Sequence, residues 1–274
     1  MTAVALSGVG KVFNAGRADQ VVALTGVDLT VDSGQFVSLI GPSGCGKSTL
    51  LRLVADLIQP TSGTLTVAGK PARKARLDQE YGIAFQQAGL FEWRTVLRNV
   101  ELPLELRGTG RRERKRRAEE MLELVGLADF TGHYPAQLSG GMQQRVAIAR
   151  ALAVHPLLLL MDEPFGALDE MTRERLQDEL LRICAQTGTS TIFVTHSIPE
   201  AVYLSDRVVV MSPRPGRITD VIEIDLGPRS EATRQSAGFF AGITKVRRAL
   251  RGTPAPTSSS PSASSSASAE VTAS

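Results

Sequence analysis

Short apolar runs alternate along this chain with longer segments in which apolar positions recur every three or four residues. The apolar runs have the length and composition of buried strands, and they lie at residues 21–31, 36–40, 64–67, 81–85, 157–161, 191–194 and 207–211. The segments with helical spacing lie at residues 48–57, 96–106, 113–125, 142–154, 172–186 and 199–204. Strands that alternate with helices in this way predict an α/β fold whose mainly parallel sheet is covered by helices on both faces.

Two parts of the chain depart from this alternation. Residues 88–155 contain helical segments and no convincing strand, which predicts a helical subdomain inserted into the α/β core. A last helix is predicted within residues 231–251, where Phe239, Ile243 and Val246 share one face. Residues 252–274 consist mainly of Ser, Ala, Pro and Thr and bury too little apolar surface to offset ordering entropy. We therefore expect a folded domain at 1–251 and a disordered tail at 252–274.

The composition of the chain narrows its partners and its compartment. A net charge of +3 over 274 residues is too small to indicate a nucleic-acid partner. The two cysteines, Cys45 and Cys184, make neither a disulfide framework nor a metal cluster, which is typical of a reducing compartment. The longest apolar run, 157–161, is much shorter than the ~20 residues of a membrane span. No basic region followed by an apolar core marks a signal peptide, so we expect a cytosolic protein.

Most of the basic excess is concentrated at residues 111–117, where six of seven positions are Lys or Arg. The simpler interpretation is the solvated start of a helix. The alternative is a contact with lipid headgroups or with an acidic partner.

A glycine-rich loop stands between an apolar run and a leucine-rich helical segment, which is the setting of a phosphate-binding loop. Its glycines let backbone N–H groups surround phosphate oxygens, and the following helix adds the positive end of its dipole. Lys47 would bind the β- and γ-phosphates of a nucleotide, and the Ser48 hydroxyl would ligate Mg²⁺. Because Cys45 lies inside the loop, we expect alkylation to inhibit and bound nucleotide to protect. The nucleotide-binding residues predicted here are Gly41, Pro42, Ser43, Gly44, Cys45, Gly46, Lys47, Ser48 and Thr49.

An apolar run at 157–161 ends in two carboxylates, Asp162 and Glu163. A buried strand would hold Asp162 rigidly where it can bind Mg²⁺ directly or through water. Glu163 would lie at the γ-phosphate, where it can orient or deprotonate the attacking water. Two ordinary surface acids are the alternative, which the presence of Lys47 in the same chain disfavours.

Ser139, Gly140 and Gly141 open another helical segment. A serine N-cap followed by a glycine turn is common at helix starts. The same residues also fit a second phosphate cradle, with a hydroxyl, two glycine N–H groups and a helix dipole.

Five segments have the order and approximate spacing of those in the ATP-binding cassette (ABC) ATPases. They are the phosphate loop at 41–49, residues 138–143, Asp162-Glu163, residues 167–169 and Thr195-His196. The chain resembles this family over residues 1–225. The resemblance implies a P-loop (RecA-like) ABC ATPase core with a mainly parallel sheet, an N-terminal antiparallel β subdomain and an inserted helical subdomain.

The resemblance also implies roles for individual residues. Two copies would stack head to tail, so that Ser139, Gly140 and Gly141 act on the ATP of the other copy and Asp169 lies at the seam. His196 would hydrogen-bond the γ-phosphate and assist Glu163. Gln86 would contact Mg²⁺ or the water, although Gln87 is its neighbour and the assignment could slip by one. Phe13 matches the aromatic that stacks on adenine, but a lone phenylalanine is as typical of a core.

Four further segments, at 90–93, 99–104, 165–183 and 194–218, resemble the ATPase subunits of bacterial nitrate/sulfonate/taurine importers, a family that also imports small heteroaromatics. The resemblance implies a homodimer on the cytoplasmic face of the inner membrane, docked on transmembrane permease subunits. It also implies an extracytoplasmic solute-binding protein that delivers the solute to the permease. Leu90, Phe91 and Trp93 would line the groove for the permease, or would be ordinary core residues. Asp56 departs from the glycine usual in the family.

Other functions remain possible at this point. One is a soluble ABC ATPase in DNA repair or translation, although the repair type needs a long coiled coil between Gln86 and Ser139 and the translation type needs two cassettes. Another is an ABC exporter, which the four segments disfavour. A P-loop kinase or GTPase would explain neither residues 138–143 nor His196.

Overall fold

The computed structural model describes residues 1–252, so the predicted tail lies, apart from Gly252, outside the described residues. The strands of this part are β1 (Thr2–Phe13), β2 (Val21–Asp32), β3 (Phe36–Ile40), β4 (Ser62–Val67), β5 (Lys70–Pro71), β6 (Tyr81–Ala84), β7 (Leu158–Asp162), β8 (Ser190–Val194), β9 (Arg207–Met211) and β10 (Ile218–Glu223). Its α-helices are α1 (Lys47–Val54), α2 (Ala72–Leu77), α3 (Val96–Leu106), α4 (Arg111–Leu124), α5 (Gly140–Leu152), α6 (Glu170–Thr187), α7 (Ile198–Leu204), α8 (Glu231–Arg234) and α9 (Ala237–Gly252).

The larger sheet has the strand order β10-β9-β3-β8-β7-β6 and is parallel except for its edge strand β10. Every residue of β3, β7 and β8 is buried, as their apolar runs predict for strands covered on both faces. One core joins a face of this sheet to α5, α6, α7 and α9, and a second core joins the other face to α1 and the N-terminal strands. The predicted α/β class is therefore confirmed.

The N-terminal strands form a separate antiparallel sheet in the order β2-β1-β4-β5, as the family resemblance implied. The apolar pattern alone did not indicate β1. Its pairing with β2 shifts register at several places, including between Leu6 and Val9, and Gly8 there has a φ of 58°. Such bulges interrupt the strict alternation by which a strand is recognised in a sequence.

Residues 85–157, all of which the structure describes, contain α3, α4, α5 and two short 3₁₀ turns, and no strand. The basic segment at 111–117 forms the exposed first turns of α4. Arg116 pairs with Glu113 and Glu120, and Lys115 lies 3.5 Å from Glu119. These i,i+3 and i,i+4 pairs are typical of a solvated helix face.

Two predicted helices end or break at identifiable residues. The helix predicted over 48–57 ends at Val54, because Asp56 adopts a left-handed φ of 52°. This conformation explains the family's glycine there, and the Asp56 carboxylate is held by Arg76 at 2.9 Å. The helix predicted in 231–251 is split into α8 and α9, and the Ser236 hydroxyl accepts a hydrogen bond from the Phe239 N–H at the break.

None of the described helices has the length and apolarity that a membrane crossing requires.

Candidate nucleotide-binding site

A cleft of about 550 Å³ opens where the central strands end. The loops after β3, β7 and β8 carry Lys47, Glu163 and His196 into it, because the carboxyl ends of parallel strands meet at one edge of the sheet. The side of the cleft near the N-terminal sheet is formed by β1 and β2. The lining residues are Phe13, Val21, Ala23, Ser43, Gly44, Gly46, Lys47, Ser48, Thr49, Gln86, Glu163, His196 and Arg214.

The loop between β3 and α1 requires glycine for steric reasons. Gly46 has a φ of 106°, and a Cβ there would lie 2.7 Å from Leu24 Cδ2. A Cβ on Gly41 would lie 2.8 Å from the carbonyl oxygen of Met211. Because α1 begins at Lys47, its free N–H groups and the positive end of its dipole face the cleft. The loop is therefore shaped to bind an anion.

Lys47 is 7% exposed and its ammonium group lies under the loop. Its Nζ donates hydrogen bonds to the carbonyl oxygens of Gly41 at 2.8 Å and Pro42 at 3.1 Å. The two carbonyl oxygens of the phosphate loop hold the Lys47 ammonium group in one position, which preorganises its charge for a phosphate.

Cys45 differs from what we expected. Its side chain is fully buried in the core beneath the loop, 0% exposed, and the residue does not line the cleft. The expectation that an alkylating reagent reaches this thiol in the folded protein is wrong.

Ser48 and Asp162 meet at the centre of the site. The Ser48 hydroxyl donates to Asp162 Oδ1 at 3.0 Å. Burial raises the pKa of the Asp162 carboxyl, while the bond from Ser48 acts in the opposite direction. A hydroxyl and a carboxylate are hard oxygen ligands of the kind that Mg²⁺ takes together with phosphates. The donor set therefore fits Mg²⁺.

Glu163 follows Asp162 in a left-handed conformation, with a φ of 49°. Its N–H donates to the Val194 carbonyl oxygen at 2.9 Å, which fixes the turn against β8. Its Oε2 accepts from Gln86 Nε2 and lies near His196 Nδ1, each at 3.3 Å. Loops after three strands thus converge on one carboxylate oxygen. Gln86 lines the cleft, and Gln87 does not.

Ser139, Gly140 and Gly141 do not line this cleft. Ser139 is the N-cap of α5, and its hydroxyl accepts from the Met142 N–H at 3.3 Å. Ser139 and Gly140 are exposed, and a Cβ on Gly140 would meet nothing within 4 Å. A Cβ on Gly141 would lie 3.0 Å from the Ala167 carbonyl oxygen, so this turn packs beside the segment that ends in Asp169. Within one chain, the two predicted phosphate-binding turns are therefore apart.

Phe13 and Trp93 are both exposed aromatics. Phe13 is 37% exposed at the rim of the cleft, with Lys11 Nζ 5.1 Å from its ring centroid. Trp93 is 74% exposed and Phe91 is 37% exposed, so neither is an ordinary core residue. Trp93 lies in a groove with Arg94, Thr95, Arg98, Glu105 and Tyr134.

Sequence reasoning missed Arg214. It lies in the loop after β9, and a Cβ on Gly44 would be 3.7 Å from Arg214 Nη2. No signal at its own position singled it out. The register of β3 beside β9 brings the loop after β9 next to the phosphate loop, and that register is visible only in three dimensions.

A Gly-rich loop on a helix N-terminus, a buried lysine, and a strand that ends in two acids define a P-loop nucleotide-binding protein. A family model described as ABC transporter matches residues 24–166. The chain belongs to this family, in which it is an ATP-binding and ATP-hydrolysing subunit.

Several relatives are similar over most of the chain. An uncharacterised ABC transporter ATP-binding protein of Methanocaldococcus jannaschii is 52% identical over 86% of each chain. The nitrate import ATP-binding protein of Synechocystis is 45% identical over 86% of this chain and 91% of its own. The taurine import ATP-binding protein of Yersinia pestis is 48% identical over 76% of this chain and 80% of its own.

Among solved structures, a dimeric ATP-binding cassette in a post-hydrolysis state, bound to ADP and Pi, has a TM-score of 0.74 and 37% identity. It covers 81% of this chain and 99% of its own length.

Proposed function

We propose that this chain is the ATP-hydrolysing subunit of an importer that takes up a small solute through a separate transmembrane permease. The observation that carries the proposal is the convergence of Gln86, Glu163 and His196 beside Lys47 in one cleft. The nitrate and taurine import proteins among its relatives support uptake of nitrate or of a sulfonate such as taurine. A small heteroaromatic is the further class of solute that the family resemblance implies.

Hydrolysis needs positioning and charge stabilisation more than covalent chemistry. Lys47 and the N–H groups of residues 43–49 bind the phosphates, and Ser48, Asp162 and Gln86 hold Mg²⁺, which neutralises charge on the phosphate oxygens. Glu163 orients the attacking water and accepts its proton. His196, whose Nδ1 lies beside Glu163 Oε2, hydrogen-bonds the γ-phosphate. Phe13 stacks on the adenine.

The exposed turn at Ser139, Gly140 and Gly141 completes the site of a second copy of this chain. The dimeric cassette among the structural relatives supports this arrangement. In the sandwich, Asp169 would lie at the seam between the copies.

The chain lies on the cytoplasmic face of the inner membrane, bound to its permease. An extracytoplasmic solute-binding protein delivers the solute to that permease on the opposite side of the membrane. The exposed groove around Trp93 fits a helix of the permease, since exposed aromatics commonly anchor interfaces. A role in DNA repair is disfavoured because α3, α4 and α5 in residues 85–157 leave no room for a long coiled coil.

The test is a pull-down of the tagged Glu163→Gln chain with ATP from gently solubilised native membranes. We expect a polytopic permease to be recovered with the chain, with or without a lipid-anchored binding protein. A Trp93→Ala chain should no longer recover the permease, although its melting temperature is unchanged. Ribosomes or DNA-repair subunits without a membrane protein would overturn the transport role and leave the ATPase chemistry intact.

A further inference from the structure

A buried carboxylate lies directly behind the His196 loop. Glu200 in α7 has 12% of its side chain exposed, and its Oε2 accepts a hydrogen bond of 2.6 Å from the Thr195 hydroxyl. The same hydroxyl oxygen accepts from the Ser197 N–H at 2.9 Å. Thr195 and Ser197 flank His196 in the chain. The Thr195 hydroxyl therefore closes the loop on both sides of the histidine, and Glu200 fixes the orientation of that hydroxyl.

The other oxygen of Glu200 faces a different functional segment. Glu200 Oε1 lies 3.6 Å from Arg173 Nε, a buried group that has no hydrogen-bond partner in the described part of the chain. Arg173 Nη2 donates to the Leu168 carbonyl oxygen at 2.8 Å, and Nη1 contacts Glu170 at 2.9 Å. The guanidinium thus holds the turn at Leu168 and Asp169 that begins α6.

We infer that Glu200 is a positioning residue for ATP hydrolysis, which holds the His196 loop and, through Arg173, the Leu168–Asp169 turn in one arrangement. The inference rests on the roles proposed above for His196 and Asp169. It adds a physical connection between the γ-phosphate side of the site and the segment expected at the dimer seam. Glu200 itself touches no ligand.

A purely structural role does not account well for this residue. Burial raises the pKa of the Glu200 carboxyl, so the fold does not favour the ionised side chain for its own sake. A buried acid that accepts one short hydrogen bond and lies beside one guanidinium specifies geometry at the expense of stability. Both partners here lead to residues of the proposed site.

The first test compares variants at Glu200 by steady-state ATP hydrolysis and melting temperature. Glu200→Ala removes the acceptor, and we expect kcat to fall about 10- to 100-fold with KM for ATP changed by less than about threefold, because misplacement of a catalytic group affects the chemical step. Glu200→Gln keeps an acceptor for Thr195 and should recover most of the rate. The matched control Glu179→Ala removes a partly buried α6 carboxylate that pairs with Arg182, away from the cleft, and should leave kcat unchanged.

The second test uses Thr195 and avoids any loss of fold that Glu200→Ala causes. Thr195→Val is nearly isosteric and lacks the hydroxyl, whereas Thr195→Ser keeps it. We expect the valine variant to reproduce the kcat loss and the serine variant to retain most of the rate. The inference is overturned if folded Glu200→Ala or Thr195→Val keeps wild-type kcat, or if Gln and Ser rescue nothing.

Glu163→Gln and His196→Ala, assayed alongside, distinguish a failure of this inference from a failure of the proposed site. If they lose hydrolysis while the Glu200 and Thr195 variants do not, only this inference fails. If they also hydrolyse ATP normally, the proposed site is itself wrong.

Discussion

Glu163, which we propose as the base for hydrolysis, has an uncommon backbone conformation. A left-handed φ at a residue other than glycine costs about 1–2 kcal/mol, so its surroundings must impose it. Here the Glu163 N–H is tied to Val194 in β8, and the carboxylate is held by Gln86 and His196.

Arg214 should strengthen nucleotide binding, because its guanidinium lines the cleft beside Gly44 and ATP is a polyanion. We expect Arg214→Ala to weaken ATP binding about two- to fivefold, as for one exposed ion pair. Fluorescent-nucleotide titration measures this. Arg217→Ala is the matched control, since Arg217 is exposed on the same loop and does not line the cleft. Equal losses in both variants would contradict a direct contact.

Both cysteines should be unreactive in the native protein. Cys45 and Cys184 are buried, and burial raises the pKa of the Cys184 thiol to about 11. The thiolate is the nucleophile, and at neutral pH little of Cys184 is in the thiolate form. Reaction at Cys184 should therefore rise as the pH approaches 11. Thiol titration with an aromatic disulfide should find no free thiol in native protein and both in denaturant. Rapid native labelling that ATP prevents would show that Cys45 is accessible after all.

At the scale of elements, α5 connects the turn at Gly140 with the segment that carries Gln86. It begins at the exposed Gly140, and its Gln144 donates to the Phe85 carbonyl oxygen at 2.9 Å. Farther along, Arg150 donates to the carbonyl oxygens of Ala88 and Gly89, each at 2.8 Å. A displacement of α5 by ATP bound to a second copy would therefore displace the segment that carries Gln86.

Gly140→Ala should separate function from stability. Alanine at the first residue of α5 meets open space and is the better helix former, so the free energy of unfolding should rise by up to about 1 kcal/mol. Hydrolysis should nevertheless fall about tenfold or more, because the methyl group stands where a phosphate approaches. Gly110→Ala, at the open start of α4, is the control that changes stability without activity. Full activity of Gly140→Ala would remove this turn from the site.

The sequence predicted some elements closely and others not at all. The bounds of β3, β9 and α3 are those expected, because each is a continuous apolar or amphipathic segment. The edge strand β10 was missed, since it buries only Ile222 and its pairing with β9 decides its conformation. The break between α8 and α9 depends on a local serine bond that helical spacing cannot indicate.

For the molecule as a whole, the sequence predicted the fold class, which the structure confirms, and the tertiary structure shows which of the candidate site residues lie together. Sequence order separates Gln86, Glu163 and His196 widely, yet parallel strands bring them to one cleft. Tertiary packing determines three features that no motif could reveal. They are the burial of Cys45, the position of Arg214 beside Gly44 and the hydrogen bond between Thr195 and Glu200.

The central claim is that this chain hydrolyses ATP in a site completed by a second copy, with Glu163 as the base. The most direct measurement is the mass of the Glu163→Gln chain by size-exclusion chromatography with light scattering, with and without ATP and Mg²⁺. The account predicts the mass of two chains with ATP, the mass of one without it, and loss of the dimer when Gly140→Ala is added. A chain that binds ATP yet keeps the mass of one copy, or that still hydrolyses ATP at the wild-type rate, would contradict the account.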